Sequence, residues 1–319
     1  MSIKNVACVG AGLIGASWAV LFAKGGCTVR LFDAFPEHFD TARTRISGFL
    51  SQLLEHRVLT ENDIDDIWER ITFHEDLTAA IQGVDFIQES VPELLEVKQK
   101  IIAEIDEINT AAILASSTSS MKISDIAENS EYAGRCIGAH PYNPPHLVPL
   151  VEITKSPRTD PGTVEAAIEF YNCMKKVTVV LQKEAAGFIG NRLQEAIARE
   201  AINIIMLGIA SLDDVDKAVV YGLGLRWAII GPNMTKELNG GAEGIRGFYS
   251  KFGESVSNIL QDNMAEWHAI PDEFIEKLGP EGIEAAKRNR SPELGNTNED
   301  IAGYRDNMLI ELLKLHNKI

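Results

Sequence analysis

Cysteine is scarce in this chain of 319 residues: Cys8, Cys27, Cys136 and Cys173 are the four, and no two share a C-x-x-C spacing. Without such pairs the common structural zinc frameworks are excluded and no metal is expected. The thiols, three of them in or beside apolar runs, read as buried and reduced. No apolar run approaches the roughly 18 to 20 residues that a membrane-spanning helix needs. The apolar pattern begins at Ile3, which leaves no room for a signal peptide and points to a cytoplasmic protein. Basic residues are outnumbered 30 to 46, giving a formal net charge of -16. Nucleic acid and anionic membrane surfaces are therefore poor partners, although one local Arg can still hold an anionic small molecule. Internal repeats, low-complexity segments and long linkers are also missing.

What is present begins with strand, glycine turn, helix and strand over residues 3–33. Ile3 to Val9 is strand-like, Gly10-Ala11-Gly12-Leu13-Ile14-Gly15 follows, an apolar helix runs to Lys24, and Thr28 to Asp33 reads as a second strand. A G-x-G-x-x-G between a strand and a helix is the context in which that motif binds a dinucleotide. Gly10 makes the tight turn, Gly12 admits a pyrophosphate to the backbone and the helix N-terminus, and Gly15 lets helix and strand pack closely; Leu13 and Ile14 lie in the same cradle. Asp33 comes eighteen residues after Gly15, placed to accept both ribose hydroxyls of an adenosine. Its charge repels a 2′-phosphate and Ala34-Phe35-Pro36 offers no Arg, so NAD is expected rather than NADP.

A helix or helix pair follows over residues 36–68, then strands near Arg70 to Phe73 and Val84 to Gln88. The second runs into Glu89-Ser90-Val91-Pro92-Glu93, and the next helix carries Lys98. Further strands fall at Ala112 to Ser116 and Lys176 to Leu181. This alternation predicts an α/β fold with a mostly parallel, doubly wound sheet. The run Ser116-Ser117-Thr118-Ser119-Ser120 lies at a strand's carboxyl end, the edge where such sheets bind ligands. Capping and turn formation before a helix near Ile123 to Ala127 accounts for most of these hydroxyls.

His140-Pro141-Tyr142-Asn143-Pro144-Pro145 is followed by the apolar run Leu147 to Ile153, which contains Glu152. With several prolines between, the chain loops out and returns near its point of departure, which can set a carboxylate behind an imidazole. Such a pair is a general acid/base for neutral pH, because the anion fixes the tautomer and stabilises the imidazolium. A turn histidine beside an unrelated strand glutamate is the alternative. From Ala185 the texture turns helical, with no further strand. Leu193, Ile197, Ala201, Ile204, Ile205 and Leu207 recur at helical spacing after Gly187-Phe188-Ile189-Gly190-Asn191-Arg192. More helices are expected at Leu212 to Val220, Gly240 to Asn263, Asp272 to Lys277 and Glu299 to Asn317. The division is then residues 1–185 and 186–319, the second all-helical and suited to a dimer interface.

Taken together and in order, these motifs resemble the 3-hydroxyacyl-CoA dehydrogenase superfamily over nearly the whole chain, most closely its lambda-crystallin type, which includes L-gulonate 3-dehydrogenase. Bacterial L-carnitine dehydrogenases are also similar. The match rests on Gly10, Gly12, Gly15 and Asp33, on Gln88 to Glu93 with Lys98, on Ser116 to Ser120, on His140 to Pro145 with Glu152, and on Gly187 to Arg192. The resemblance implies a Rossmann-like NAD domain followed by an all-helical C-terminal domain, a homodimer, and a catalytic His140–Glu152 pair. It further implies that Ser119 and Asn191 hydrogen-bond the substrate's reacting oxygen and that Glu93 and Lys98 line the nicotinamide side. Asn191 also reads as a helix-start capping residue, and Lys98 as a solvated helix charge.

Departures from the acyl-CoA type bear on substrate. The chain ends in a charged helix, where the acyl-CoA enzymes usually end in a glycine-rich segment with an aromatic. Gly222-Leu223-Gly224-Leu225-Arg226-Trp227-Ala228 also carries an Arg that they lack. Arg226 is the candidate anchor for a free carboxylate, since its planar fork binds one bidentately; a surface ion pair with an Asp or Glu is its other reading. The leading expectation is oxidation of the 3-hydroxyl of a small L-3-hydroxy acid, L-gulonate first. Carnitine is the close alternative and would need a cage for its trimethylammonium, with Trp227, Phe248, Tyr249 and Trp267 as candidates. A 3-hydroxyacyl-CoA is third. A structural protein that binds NAD without catalysis is the fourth, disfavoured by the intact set Ser119, His140, Glu152 and Asn191.

Overall fold

The computed structural model describes residues 3–262, 264–289, 293, 295 and 297–319. Its sheet has eight strands: β1 (Asn5–Val9), β2 (Thr28–Phe32), β3 (Ile71–His74), β4 (Phe86–Glu89), β5 (Ile113–Ser116), β6 (Cys136–Pro141), β7 (Leu150–Lys155) and β8 (Val177–Val180). They lie in the order β3-β2-β1-β4-β5-β6-β7-β8. Every neighbouring pair is parallel except β6 with β7. The sequence order reverses direction at β1, between β2 and β4, which is where doubly wound sheets open a crevice beyond their strand ends. The expected mostly parallel, Rossmann-like sheet is the one observed.

Alternate residues of β1 supply the two faces: Val6 and Cys8 join one buried cluster, Ala7 and Val9 the other. Helix α1 (Leu13–Lys24) is buried from Gly15 to Ala23, and Trp18 stacks on Phe22 with ring centroids 5.2 Å apart. A helix apolar on all sides belongs inside a core. The segment over residues 36–68 resolves into α2 (His38–Glu55) and α3 (Glu61–Glu69). Thr60 and Asp63 form a reciprocal capping box that starts α3. The short α4 (Leu77–Ile81) precedes β4, and α5 (Leu95–Ile108) connects β4 to β5. Helices α6 (Ile123–Ile126) and α7 (Pro161–Cys173) complete this layer, α7 having gone unread in the sequence.

By their contacts, residues up to Gly190 together with Ile301–Ile319 form one unit, and Asn191–Asp300 the other. Helix α8 (Gly190–Met206) leads into the second unit, which holds α9 (Leu212–Ala218), α10 (Leu225–Trp227), α11 (Pro232–Asn239), α12 (Gly244–Gln261) and α13 (Gly279–Asn289). No strand occurs there among the described residues. The helix expected to end at Asn263 ends at Gln261, and Asn263 itself lies outside the described residues. The last helix, α14 (Asn298–Leu315), returns to the first unit instead of closing the second. Gln52 Nε2 donates to Asn307 Oδ1 (2.8 Å), and the His56 ring meets Glu311 and Asn307 at 2.8 and 3.0 Å. The boundary at 185/186 assigned that helix to the second domain; Ile310 and Leu313 instead join the core of the first.

All four cysteines are free. Cys8, Cys27 and Cys136 are buried, but Cys173 at the end of α7 is exposed, contrary to the expectation of four buried thiols. Burial pushes the Cys27 and Cys136 thiols up to about 11, so both stay protonated near neutral pH. Among the described residues, no helix is long and apolar enough to cross a membrane.

Candidate active site

One edge of the sheet gathers most of the residues singled out by the sequence. Phe32, Val9, Glu89, Ser116 and Gly138 stand in register across β2, β1, β4, β5 and β6. Asp33, the glycine loop, the Glu89–Glu93 turn, the hydroxyl run and His140 therefore follow one another along the carboxyl ends of five adjacent strands. At about 4.8 Å per strand the outer two are roughly 19 Å apart, a path for an extended dinucleotide.

Gly10 has a φ of +104°, in the region that favours glycine, and a Cβ there would lie 2.7 Å from the Ser90 carbonyl oxygen. A Cβ on Gly15 would lie 1.8 Å from the Gly10 carbonyl oxygen, so helix α1 can approach the loop only with glycine at that position. A Cβ on Gly12 would meet nothing within 4 Å, and Gly12 caps α1 without any side chain on the cap. The space in front of that helix end is thus left open by the chain, which fits a pyrophosphate held by backbone N–H groups. Leu13 stands partly exposed beside it. Asp33 is buried and already organised: Oδ2 accepts from Ala11 N at 2.8 Å, and Oδ1 from Phe35 N and faces His38 Nδ1, both at 3.0 Å. One carboxylate thereby ties the glycine loop to the end of β2.

Lys98 is not a solvated charge. It is 1% exposed, with Nζ 2.9 and 3.1 Å from the two oxygens of fully buried Glu89, 3.2 Å from Glu93 Oε2 and 3.3 Å from the Val91 carbonyl. The reason is visible in α5, where Lys98, Ile102 and Ile105 occupy one inward face. Glu89 also accepts from Ser116 Oγ (2.5 Å) and Val91 N (2.7 Å), so its charge is fully met. Glu93 Oε1 accepts from Thr118 Oγ1 at 2.6 Å and from Ser119 N at 2.8 Å, with Ser119 Oγ at 3.3 Å. Burial raises the Glu93 carboxyl, but the Thr118 hydroxyl, the Lys98 charge and the Ser119 N–H outweigh it, and the net shift is downward. The hydroxyl run is therefore part turn and part lining: Thr118 Oγ1 accepts from Met121 N, while Ser119 is held half-buried beside an anionic Glu93.

His140 is the residue before the last of β6 and pairs directly with Glu152 of β7 across the antiparallel ladder. His140 Nδ1 lies 2.8 Å from Glu152 Oε2, so the histidine is a strand residue with its carboxylate opposite, not a turn residue beside an unrelated glutamate. Glu152 is fully buried, and its other oxygen accepts from Ile189 N and Gly190 N, both at 2.9 Å. Those two N–H groups are delivered by a turn in which Gly187 and Phe188 have φ of +70° and +51°. Burial acts to raise the Glu152 carboxyl, yet the bonds from His140, Gly190 and Ile189 prevail and hold it below its ordinary value. An ionised carboxylate only accepts, so Nδ1 donates, and the neutral ring presents Nε2 as a proton acceptor. Tyr142 and Phe188 flank the imidazole at 5.3 and 5.4 Å.

Asn191 follows Gly190 within the first turn of α8. Arg226 lies in α10, exposed. Among the described residues its side chain makes one hydrogen bond, Nε to the Gly222 carbonyl at 3.3 Å, and no ion pair. The reading as half of a surface ion pair is therefore not supported. Of the four candidate cage aromatics, Phe248 and Tyr249 meet with centroids 5.2 Å apart. The Lys236 ammonium sits 5.9 and 5.0 Å from their rings and bonds the Tyr249 hydroxyl, so that pair already serves an internal cation. Glu89, Ser116 and the Ile189 and Gly190 N–H groups were missed as supports; the apolar spacing around Lys98 was the one readable sign among them.

Residues 5–185 match the family described as 3-hydroxyacyl-CoA dehydrogenase, NAD binding domain, and residues 187–274 match 3-hydroxyacyl-CoA dehydrogenase, C-terminal domain. An L-carnitine dehydrogenase of Bacillus cereus is 36% identical over 319 residues, covering 99% of this chain and 94% of that protein. A lambda-crystallin homolog of Homo sapiens is 35% identical, covering 98% and 97%. Among solved structures, a 5-formyl-3-hydroxy-2-methylpyridine 4-carboxylic acid 5-dehydrogenase, an NAD+-dependent dismutase, superposes with a TM-score of 0.79 at 26% identity, covering 99% of this chain and 98% of that one.

Proposed function

The chain belongs to the 3-hydroxyacyl-CoA dehydrogenase family and is an NAD-dependent 3-hydroxy acid dehydrogenase, and from that premise we propose that it oxidises the 3-hydroxyl of a small L-3-hydroxy acid bearing a free carboxylate, L-gulonate being the first candidate. The observation that carries this reading is the His140–Glu152 pair, with Nδ1 committed to the carboxylate and Nε2 left to accept a proton. Bound NAD supplies the acceptor for the hydride that leaves the substrate carbon. His140 takes the hydroxyl proton at Nε2, and Glu152 stabilises the imidazolium that results. Ser119 and Asn191 orient the reacting oxygen. Gly10, Gly12, Leu13, Ile14 and Gly15 cradle the pyrophosphate, Asp33 takes the ribose, and Glu93, positioned by Lys98, lines the nicotinamide side. Arg226, with no acidic partner among the described residues, receives the substrate carboxylate.

Carnitine is the second reading, favoured by the identity to the Bacillus cereus enzyme. The Lys236 ammonium over Phe248 and Tyr249 weighs against those rings as its cage. Rates of NAD reduction with L-gulonate, L-carnitine, L-3-hydroxybutyrate and 3-hydroxybutyryl-CoA separate the readings. Turnover of the thioester alone would overturn the free-acid assignment.

The working form is proposed to be a homodimer. Within residues 191–300 the buried apolar side chains among the described residues are Leu212, Val215, Ala265 and Ala286, while Leu207, Val220, Ile229 and Leu238 are each more than half exposed. So small a core, under that much exposed apolar surface, calls for a second copy to cover it. A monomeric mass by light scattering at micromolar concentration would contradict this.

A further inference from the structure

Beneath the glycine loop, a chain of polar side chains runs through the apolar layer between α1 and the sheet. Trp18, Gln88 and Tyr171 are each 0% exposed. The Tyr171 hydroxyl lies 2.5 Å from Gln88 Oε1, and Gln88 Nε2 lies 2.9 Å from Ser117 Oγ and 3.3 Å from the Ala115 carbonyl oxygen. Trp18 Nε1 reaches the same Ser117 oxygen at 3.1 Å, and Ser117 Oγ stands 2.9 Å from Ser90 Oγ. Polar groups in such a layer are costly unless each is satisfied, so a network laid through it calls for a use.

The direction of each bond is fixed by its partners. The Ala115 carbonyl only accepts, which turns the Gln88 nitrogen towards it and towards Ser117, and the Gln88 oxygen towards Tyr171. Burial raises the Tyr171 phenol well above its ordinary value, so it keeps its proton and donates to that oxygen. An indole N–H only donates, and a serine hydroxyl has two lone pairs and one proton. Ser117 Oγ accepts from Trp18 and from Gln88, which uses both lone pairs, so its own proton goes to Ser90 Oγ. Ser90 is half-buried, and among the described residues its hydroxyl proton has no acceptor.

The place of Ser90 says what that proton is for. A Cβ on Gly10 would lie 2.7 Å from the Ser90 carbonyl oxygen, and one on Gly15 would lie 3.8 Å from the Ser90 Cβ, so Ser90 abuts both ends of the glycine loop. Along the sheet edge Asp33 follows β2, the glycine loop follows β1, and Ser90 follows β4, each about 4.8 Å further on. A dinucleotide with its first ribose at Asp33 and its pyrophosphate at the loop brings its second ribose to Ser90.

We propose that the Ser90 hydroxyl donates to the ribose hydroxyls on the nicotinamide side of NAD, and that Ser117, oriented by Trp18 and Gln88, is the positioning residue that turns this proton outward. The two riboses are then held with opposite polarity: Asp33 accepts from one and Ser90 donates to the other. The inference rests on the cofactor placement proposed above.

The test is isothermal titration of NADH, ADP-ribose and ADP into the parent, Ser90→Ala, Ser117→Ala and the double variant, with thermal unfolding of each. ADP-ribose carries both riboses, ADP only the first. Ser90→Ala should bind NADH and ADP-ribose at least about fivefold more weakly and ADP as the parent does, a split that a disturbed glycine loop would not give. Because Ser117 acts through Ser90, Ser117→Ala should show the same pattern and the double variant should bind no more weakly than Ser90→Ala. Unchanged Kd for NADH and ADP-ribose in Ser90→Ala, an equal loss for ADP, or fully additive losses in the double variant overturns the inference. A parent that fails to bind NADH would overturn the cofactor placement as well.

Discussion

Glu152 stands directly across the antiparallel ladder from His140, its Oε2 lies 2.8 Å from the ring Nδ1, and its other oxygen is bonded by two backbone N–H groups. The carboxylate is thus fixed before it fixes the imidazole. Glu152→Gln keeps the shape and removes the charge, so kcat should fall by about 100- to 10,000-fold with little change in KM, as measured by steady-state kinetics. A loss under threefold would remove Glu152 from the account of catalysis.

The same residue gives a pH dependence of stability. Its carboxyl is held below the ordinary 4.5, so the unfolded chain binds the proton more readily than the folded one. The stabilisation is complete above the unfolded value and is lost as pH falls through the lower folded value. Urea unfolding at a series of acid pH values should show a shallower loss of stability in Glu152→Gln than in the parent. Parallel curves would mean that the native carboxyl titrates normally.

Lys98 and Glu89 form a buried pair, 1% and 0% exposed, within hydrogen-bonding distance of each other. Lys98→Met leaves Glu89 charged and buried without its partner, which should destabilise the fold by about 3–5 kcal/mol in denaturant titration. Adding Glu89→Leu to that variant should restore part of the loss. If the single change costs under about 1 kcal/mol, the pair is not the organising element of this edge.

Gly12 and Gly15 should separate binding from folding. Gly15→Ala drives a methyl against the Gly10 carbonyl and should lower both Tm and NADH affinity; Gly12→Ala meets no chain atom and should keep Tm while weakening NADH. Fluorescence titration and thermal unfolding distinguish them, and full NADH affinity in Gly12→Ala would remove the open space as the pyrophosphate cradle.

Arg226→Met should raise KM for the free acid roughly tenfold or more, the expected loss of one to two charge-assisted hydrogen bonds, and should leave the KM of a thioester unchanged. An unchanged KM for every free acid would exclude Arg226 as the anchor.

The periodic parts of this fold were legible in the sequence. The glycine loop and its flanking strands appear as read, because turn chemistry and alternation are local. The His140–Glu152 partnership was also within reach, since prolines between two apolar runs force a return. What escaped was long-range: the Ile189 and Gly190 N–H groups that hold Glu152, and the Glu89 carboxylate under Lys98, depend on which turns pack together. Lys98 on an apolar helix face was the available clue, because a lysine in line with Ile102 and Ile105 has to be paired inside. The return of α14 to the first unit left no periodic trace, since its partners on α2 lie about 250 residues earlier in the chain.

The most direct measurement is NADH formation by the parent and by His140→Ala, with L-gulonate, L-carnitine, L-3-hydroxybutyrate and 3-hydroxybutyryl-CoA as substrates. Turnover of a free hydroxy acid by the parent, reduced at least about 100-fold in His140→Ala while NADH affinity is kept, is the predicted result. Turnover confined to the thioester, or a free acid oxidised equally well without His140, would contradict it.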